Sequence, residues 1–223
     1  MNLLRYSLLA ALLLAVSPAV LRAGLLTYTL GSAAPSFSDG QTGIATSTFN
    51  TAVGGNAAPF NGFIGSDVSG PNFSAAWAYN YAAIVETITA ATLTLGLYDH
   101  DSSATGDQVA AFSVGGIDLT ALLNAALEGA GGTSGEYNIY TINLPGTTFA
   151  ALAAGTPGLS LDLQGPGLGI LGNTDFNGAG LDYSTLSITT DTQQNNVIPE
   201  PATWMLLGPG VAAVAFRRRL GRG

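Results

Sequence analysis

Two oxygen-rich runs and an aromatic stripe hold the side chains with which this chain could do chemistry. In Tyr98-Asp99-His100-Asp101-Ser102-Ser103-Ala104-Thr105-Gly106-Asp107, the side chains of Asp99, Asp101, Ser103 and Asp107 offer oxygens at the spacing by which an extended turn converges on a calcium ion. Ala104 stands where an EF-hand needs glycine, and Ala110 where it needs a bidentate glutamate, so the loop is not an EF-hand. The expectation is a looser calcium site on Asp99, Asp101 and Asp107. The competing reading is a solvated acidic turn closed by Asx-type backbone bonds. A second run, Asn173-Thr174-Asp175-Phe176-Asn177-Gly178 followed by Asp182, alternates its oxygens in the same way. Leu181 and Ser184 fall at its later ligand positions, so it reads better as a loop before the final strand.

The stripe is Trp77-Ala78-Tyr79-Asn80-Tyr81, which in a strand puts Trp77, Tyr79 and Tyr81 on one face. Exposed, the three rings make a platform for sugar rings; turned inward, they are core, and Phe73 and Ala75 continue the same parity upstream. Catalytic constellations are thin. His100 is the sole histidine, so a Ser-His-Asp triad or a histidine-rich zinc site has to be built around it alone. Its aspartate neighbours are expected to raise its pKa and favour the imidazolium. Glu86, Glu128 and Glu136 are available for paired-carboxylate hydrolysis, but nothing in their spacing singles out a pair. The reading is therefore not an enzyme, with a hydrolase kept as the third choice.

Strands must position these groups. Leu26–Leu30, Ile84–Leu97, Tyr137–Ile142, Leu159–Leu163 and Leu186–Thr189 alternate apolar with hydroxyl or acidic residues, the pattern of half-buried antiparallel sheet. Separated by Gly, Asn, Asp and Pro turns, they predict a mostly β protein, an antiparallel, jelly-roll-like β-sandwich. One helix interrupts it: Asp118 is a plausible N-cap, Leu119, Leu122, Leu123, Ala126 and Leu127 repeat at helical spacing, and Gly129 is the stop. A shorter helical turn is expected over Thr147–Ala153. The Gly/Ala/Ser/Asn-rich stretch from 31 to 72 is expected to be only partly ordered.

Charge is distributed unusually. All six basic residues lie in the ends, at Arg5, Arg22, Arg217, Arg218, Arg219 and Arg222, and of the 14 acidic residues only Glu200 lies outside residues 24–198. The body of the chain has no lysine or arginine to pair with a carboxylate, and no basic surface for nucleic acid or anionic lipid. With no cysteine there is no disulfide, thiolate metal site or cysteine nucleophile.

The ends read as addresses. Arg5, the apolar run Leu8–Val16 and the helix-breaking Pro18 before small residues build a secretory signal peptide, with cleavage expected after Ala23 and Ala19 as the alternative, since Leu21 fits the minus-three position poorly. At the other end Val197-Ile198-Pro199-Glu200-Pro201-Ala202-Thr203-Trp204 leads into the apolar Met205–Phe216 and then Arg217-Arg218-Arg219. The run of 12 residues makes a helix of about 18 Å against a hydrocarbon core of about 30 Å, enough for transient insertion and poor for a permanent anchor. The arginines hold its end on the cytoplasmic side. These residues resemble the PEP-CTERM sorting signal of Gram-negative bacteria. The resemblance implies that Pro199, Glu200 and Pro201 are read by an exosortase, a membrane cysteine transpeptidase, which releases the chain to the cell surface or an extracellular matrix.

The expected organisation is thus a signal peptide over 1–23, a sandwich domain over 24–192, a linker over 193–198 and a hydrophobic sorting helix within 199–223. The expected role is structural or adhesive, at the surface or in a biofilm matrix. The alternative is a calcium-assisted carbohydrate-binding module with extracellular polysaccharide as partner.

Overall fold

The computed structural model describes residues 22–100, 106–130, 132–133, 135–165 and 176–192. Residues 23–192 form one compact unit. Residues 1–21, the linker and the sorting segment lie outside the described residues, as do Asp101 and Asn173–Asp175, whereas Arg22 and Ala23, expected within the signal peptide, begin the first strand.

Among the described residues nine strands are present: β1 (Arg22–Gly31), β2 (Phe63–Ile64), β3 (Ser74–Ala78), β4 (Thr87–Tyr98), β5 (Val109–Val114), β6 (Ile117–Asp118), β7 (Tyr137–Asn143), β8 (Gly158–Leu163) and β9 (Ala179–Thr192). Three helices join them: α1 (Thr46–Val53), α2 (Thr120–Ala130) and α3 (Phe149–Ala153), the last entered through a 3-10 turn at Gly146–Thr148. The larger sheet runs β1-β9-β4-β7 with β2 added beside β9, and the smaller runs β3-β8-β5-β6. Without the two-residue β2, eight strands divide four and four, and the chain changes sheet at nearly every step. That is the strand order of a jelly roll.

Inward-facing side chains of both sheets meet in one core. Leu93, Leu95 and Leu97 of β4, Tyr140 and Ile142 of β7 and Leu186 and Ile188 of β9 face Trp77, Phe112, Val114, Leu159, Leu161 and Leu163 of the smaller sheet. The period-two alternation in the sequence is what produces this, since one face of each strand is apolar and the other is not. Leu123 and Leu127 of α2 and Leu152 of α3 join the core. Ahead of α2, Asp118 accepts both the N–H and the hydroxyl of Thr120, at 2.9 and 2.6 Å, and Leu119 accepts the first helical N–H, from Leu123. Leu119 is therefore the N-cap, and Asp118, expected in that position, stands one residue before it at the end of β6 and binds the first helical residue.

The stretch from 31 to 72, expected to be only partly ordered, is instead packed. Helix α1 lies on the outer face of the larger sheet, where Phe49, Val53 and Ile44 form a second core with Tyr98, Tyr137 and Tyr183. Phe49 stacks on Tyr98 with ring centroids 4.9 Å apart. The sheet makes room through glycines: a Cβ at Gly180 would collide with the Phe49 ring, and one at Gly96 with the Tyr137 hydroxyl. Asn50 closes the loop after the helix by accepting the Phe63 N–H at 2.7 Å. A few spaced aromatics anchor what the small residues around them cannot.

Candidate functional site

The polar end of the sandwich gathers Asp99, His100, Glu136 and Asn177 of the residues singled out in the sequence. It is built where β4 ends, where β7 begins and where the chain enters β9. Asp99 follows β4 in the left-handed region, with φ of 53°, and its carboxylate accepts the Gly135 N–H at 2.8 Å. Asp67, from the loop after β2, accepts the Gly178 N–H at 2.7 Å. Both carboxyls are pushed above the usual range, first by burial, and the charge of Asp99 raises Asp67 further. The two are electrostatic neighbours 32 positions apart in sequence, in a domain with no lysine or arginine to neutralise either.

Asp107 is elsewhere in this respect. It is exposed, and its backbone carbonyl accepts the Gln164 side-chain N–H at 2.9 Å, while the preceding Gly106 N–H is bound by Glu128 at 3.0 Å. Asp101 lies outside the described residues, so of the predicted trio the structure locates Asp99 and Asp107 and gives Asp99 a different described carboxylate neighbour, Asp67. Among the described residues no group of three or more His, Cys, Asp or Glu side chains is placed to hold a metal ion.

Behind Asp99 the chain turns inward and His100 is fully buried. Its Nε2 lies 2.7 Å from the Tyr140 hydroxyl, and the Tyr140 ring meets it edge-on at 5.2 Å. Burial pushes the imidazole down to about 4, against the opposing field of Glu136. The expected imidazolium is therefore corrected to a neutral ring: the flanking aspartates are adjacent in sequence, but desolvation outweighs carboxylate attraction. Glu136 is held below the ordinary range, chiefly by the Thr133 hydroxyl at 2.7 Å, and also accepts from Asn138 at 2.6 Å. Asn177, from the second oxygen-rich run, is fully buried and donates to the Gln164 and His100 carbonyls at 3.1 and 3.4 Å. His100 Nδ1, Asn138 Oδ1 and Asn177 Oδ1 have no hydrogen-bond partner among the described residues. They are buried acceptors, apart from whichever imidazole nitrogen carries the proton.

Asp182, also from that run, has a structural part. The strand pairing jumps from Gly96↔Tyr183 to Leu97↔Leu181, leaving Asp182 as the extra residue of a bulge. Its carboxylate is fully buried and accepts three donors: the Ser36 N–H at 2.8 Å, the Ser36 hydroxyl at 2.8 Å and the Tyr137 hydroxyl at 2.7 Å. A carboxylate so supplied needs no cation.

The aromatic stripe is core, which corrects the exposed-platform reading. Trp77 and Tyr79 are buried, and both bind the buried Ser184 hydroxyl, at 3.2 and 2.7 Å. Tyr81 is half-buried, stacks on Tyr28 at 4.2 Å and donates to the Leu152 carbonyl at 2.8 Å. The parity shared with Phe73 and Ala75 is the inner parity of β3, and a sandwich of this width needs the ring volume. What sequence reasoning missed is Asp67: an isolated aspartate in a loop carries no signal until the fold sets it beside Asp99.

The domain so described belongs to the class of acidic antiparallel jelly rolls, and its sorting information lies beyond it. Residues 197–219 match the model of the PEP-CTERM protein-sorting motif. The chain thus carries the signal of an exported protein that is anchored transiently in the membrane and sorted to the surface by an exosortase-type enzyme. Among the described residues no helix is long and apolar enough to cross a membrane. No curated protein matches the chain.

Proposed function

We propose that this protein is a structural or adhesive component of the cell surface or the extracellular polymer matrix, with the jelly roll as its displayed part and the tail as its address. The observation that carries this is the sorting motif at residues 197–219, following a domain that ends its last strand at Thr192. The absence of lysine and arginine from residues 24–198 fits a protein that must not adhere to nucleic acid or anionic lipid on its way out. The sealed environment of its sole histidine leaves no exposed imidazole for a Ser-His-Asp triad. In the native host, wild-type protein in the medium or matrix should end before the Met205–Phe216 segment. Glu200→Ala should remain, tail attached, in the membrane fraction. Mass spectrometry of exported wild-type protein that reads through to Arg222 overturns the processing step.

A second reading, calcium-assisted carbohydrate binding, is supported by Asp67 and Asp99, whose charges repel each other without a basic partner. A surface site with few protein ligands falls at a Kd of roughly 0.1–1 mM. Calorimetric titration of the exported protein should show weak calcium binding that Asp67→Asn and Asp99→Asn abolish and Asp107→Asn leaves unchanged. Equal heats in all four proteins return this end of the sandwich to a purely structural role.

A further inference from the structure

We propose that the uncovered half of the larger sheet's outer face is a docking surface for a neutral, hydroxyl-rich polysaccharide chain, an inference that rests on the extracellular reading above. On this face the strands carry hydroxyls in register. Thr94 of β4 pairs with Thr185 of β9 on one side and Thr141 of β7 on the other. The Thr94 and Thr141 hydroxyls are 2.8 Å apart, and the Thr185 hydroxyl is 2.9 Å from that of Thr29 on β1. One row of threonines therefore crosses all four long strands of the sheet. Two residues along, Thr92 pairs with Ser187 and with Asn143 to make a second row, and Thr27 of β1 has the same outward parity as Thr29. None of these side chains is buried.

Three physical features select the occupant. The first is chemistry. Each bonded pair of threonine hydroxyls uses one proton and one lone pair between its members, leaving one O–H and three lone pairs for a partner, with γ-methyls between them. A ligand that is both donor and acceptor at short intervals, with C–H faces between its hydroxyls, is matched by such a row; sugars are of this kind. The second is charge. The two rows carry none: of the acids nearest them, Asp39 is held on the Ile139 N–H two residues from Thr141, and Asp182, three residues from Thr185, is buried among its three donors, while Asp191 lies opposite Thr87 at the far end of β4. An acidic polymer is repelled by the thirteen carboxylates of residues 24–198 with no basic residue to receive it, and a cationic one has no reason to choose the uncharged face. The third is shape. Neighbouring strands rotate by about 20–25°, so a rigid lattice cannot follow four of them, whereas a flexible chain can lie along one row, about 14 Å over three strand spacings. The outer face of the smaller sheet differs: there Asp162 binds Ser74 and Asp118 pairs with Ser113, so charge interrupts its hydroxyls.

The test uses the exported protein, incubated with insoluble and soluble neutral glucans and mannans, and with an acidic alginate for comparison. Thr94→Val with Thr185→Val removes the central hydroxyls of the row at nearly constant shape, and Ser113→Ala with Ser160→Ala is the control on the other sheet. Melting temperatures of both variants check the fold. The expected result is binding to a neutral polymer that resists high salt and a calcium chelator, weakens by about tenfold in the valine variant and is unchanged in the control. Binding only to alginate, binding abolished by chelator but not by valine, or equal binding by the valine variant overturns the proposal. So does a valine variant whose only change is its oligomeric state, or failure to bind any neutral polymer. Fractionation keeps the two readings apart: protein found in the matrix that binds no neutral glycan sinks only the docking surface, whereas protein that never leaves the cell sinks the extracellular reading.

Discussion

The outer face of the larger sheet has two halves built on the same strands, and they meet opposite needs. Towards the polar end, Gly96 and Gly180 leave hollows that receive Tyr137 and Phe49, and a second core closes over them. Towards the other end, the same strands present Thr92, Thr94, Thr185 and Ser187, and nothing described covers them. The difference teaches what decides whether a sheet face is sealed or offered. A missing Cβ admits an aromatic layer, whereas β-branched hydroxyl side chains fill the surface themselves and stay in contact with water.

The largest effect expected is on the sealed half. Phe49→Ala removes a fully buried ring between helix α1 and the sheet and should cost about 3–5 kcal/mol, read by urea denaturation. A loss below about 1 kcal/mol means that the layer is not part of the cooperative core. Acid should act next, at the end of the sandwich this half adjoins. His100 binds its proton with a pKa of about 4 when folded, against about 6.5 unfolded, so folding favours the neutral ring. Its contribution is complete above pH 6.5, is lost as pH falls towards 4 and amounts to about 3 kcal/mol. Asp67 and Asp99, whose folded pKa values are raised, shift stability the opposite way as they protonate, so the His100 component is isolated by comparison with His100→Gln. A pH profile identical in the two proteins shows that the imidazole is not sealed.

Asp182→Asn tests how the sealed half holds its carboxylate. With the N–H and hydroxyl of Ser36 and the hydroxyl of Tyr137 all aimed at it, exchanging one oxygen for an amide sets donor against donor and should cost about 2 kcal/mol. No change in the denaturation midpoint would place that carboxylate in water. The smallest effect belongs to the open half. Thr94→Val with Thr185→Val should alter stability by no more than about 0.5 kcal/mol, since valine suits an outward strand position and the lost hydroxyls remain free to be replaced by water. A loss comparable to that of Phe49→Ala would mean that this half too is part of the fold's foundation.

Legibility in the sequence followed the length and regularity of each pattern. Strands β1, β4, β7 and β8 alternate cleanly enough to be read directly and the helical spacing shows α2 and the short α3, but of β9 only Leu186–Thr189 reads as strand, because the bulge at Asp182 breaks the alternation at its start. Strand β5 was missed because Val109-Ala110-Ala111-Phe112 does not alternate, and the pairing shows why: a register shift between Val109 and Ala111 resets its parity. Helix α1 was missed because Thr46-Ser47-Thr48-Phe49-Asn50-Thr51 is poor in helix formers, so its existence depends on Phe49 and Val53 finding their slots on the sheet.

By itself the sequence determined the address, the sign of the charge and the fold class. Sorting signals are read as contiguous segments, the sign of the charge follows from 14 acidic against six basic residues, and period-two alternation is imposed by strand geometry on every sheet with one buried face. Only the tertiary structure decided the fate of each polar group. It turned Trp77 and Tyr79 inward, lowered His100 where its sequence neighbours suggested the reverse, satisfied Asp182 with donors from the loop before α1 and from β7, and set Asp67 beside Asp99. The threonine row is of the same kind, since Thr29, Thr94, Thr141 and Thr185 become neighbours only through strand order and register. The reason is physical: desolvation and hydrogen bonding act over a few ångströms, and which groups stand that close is a property of the packed chain.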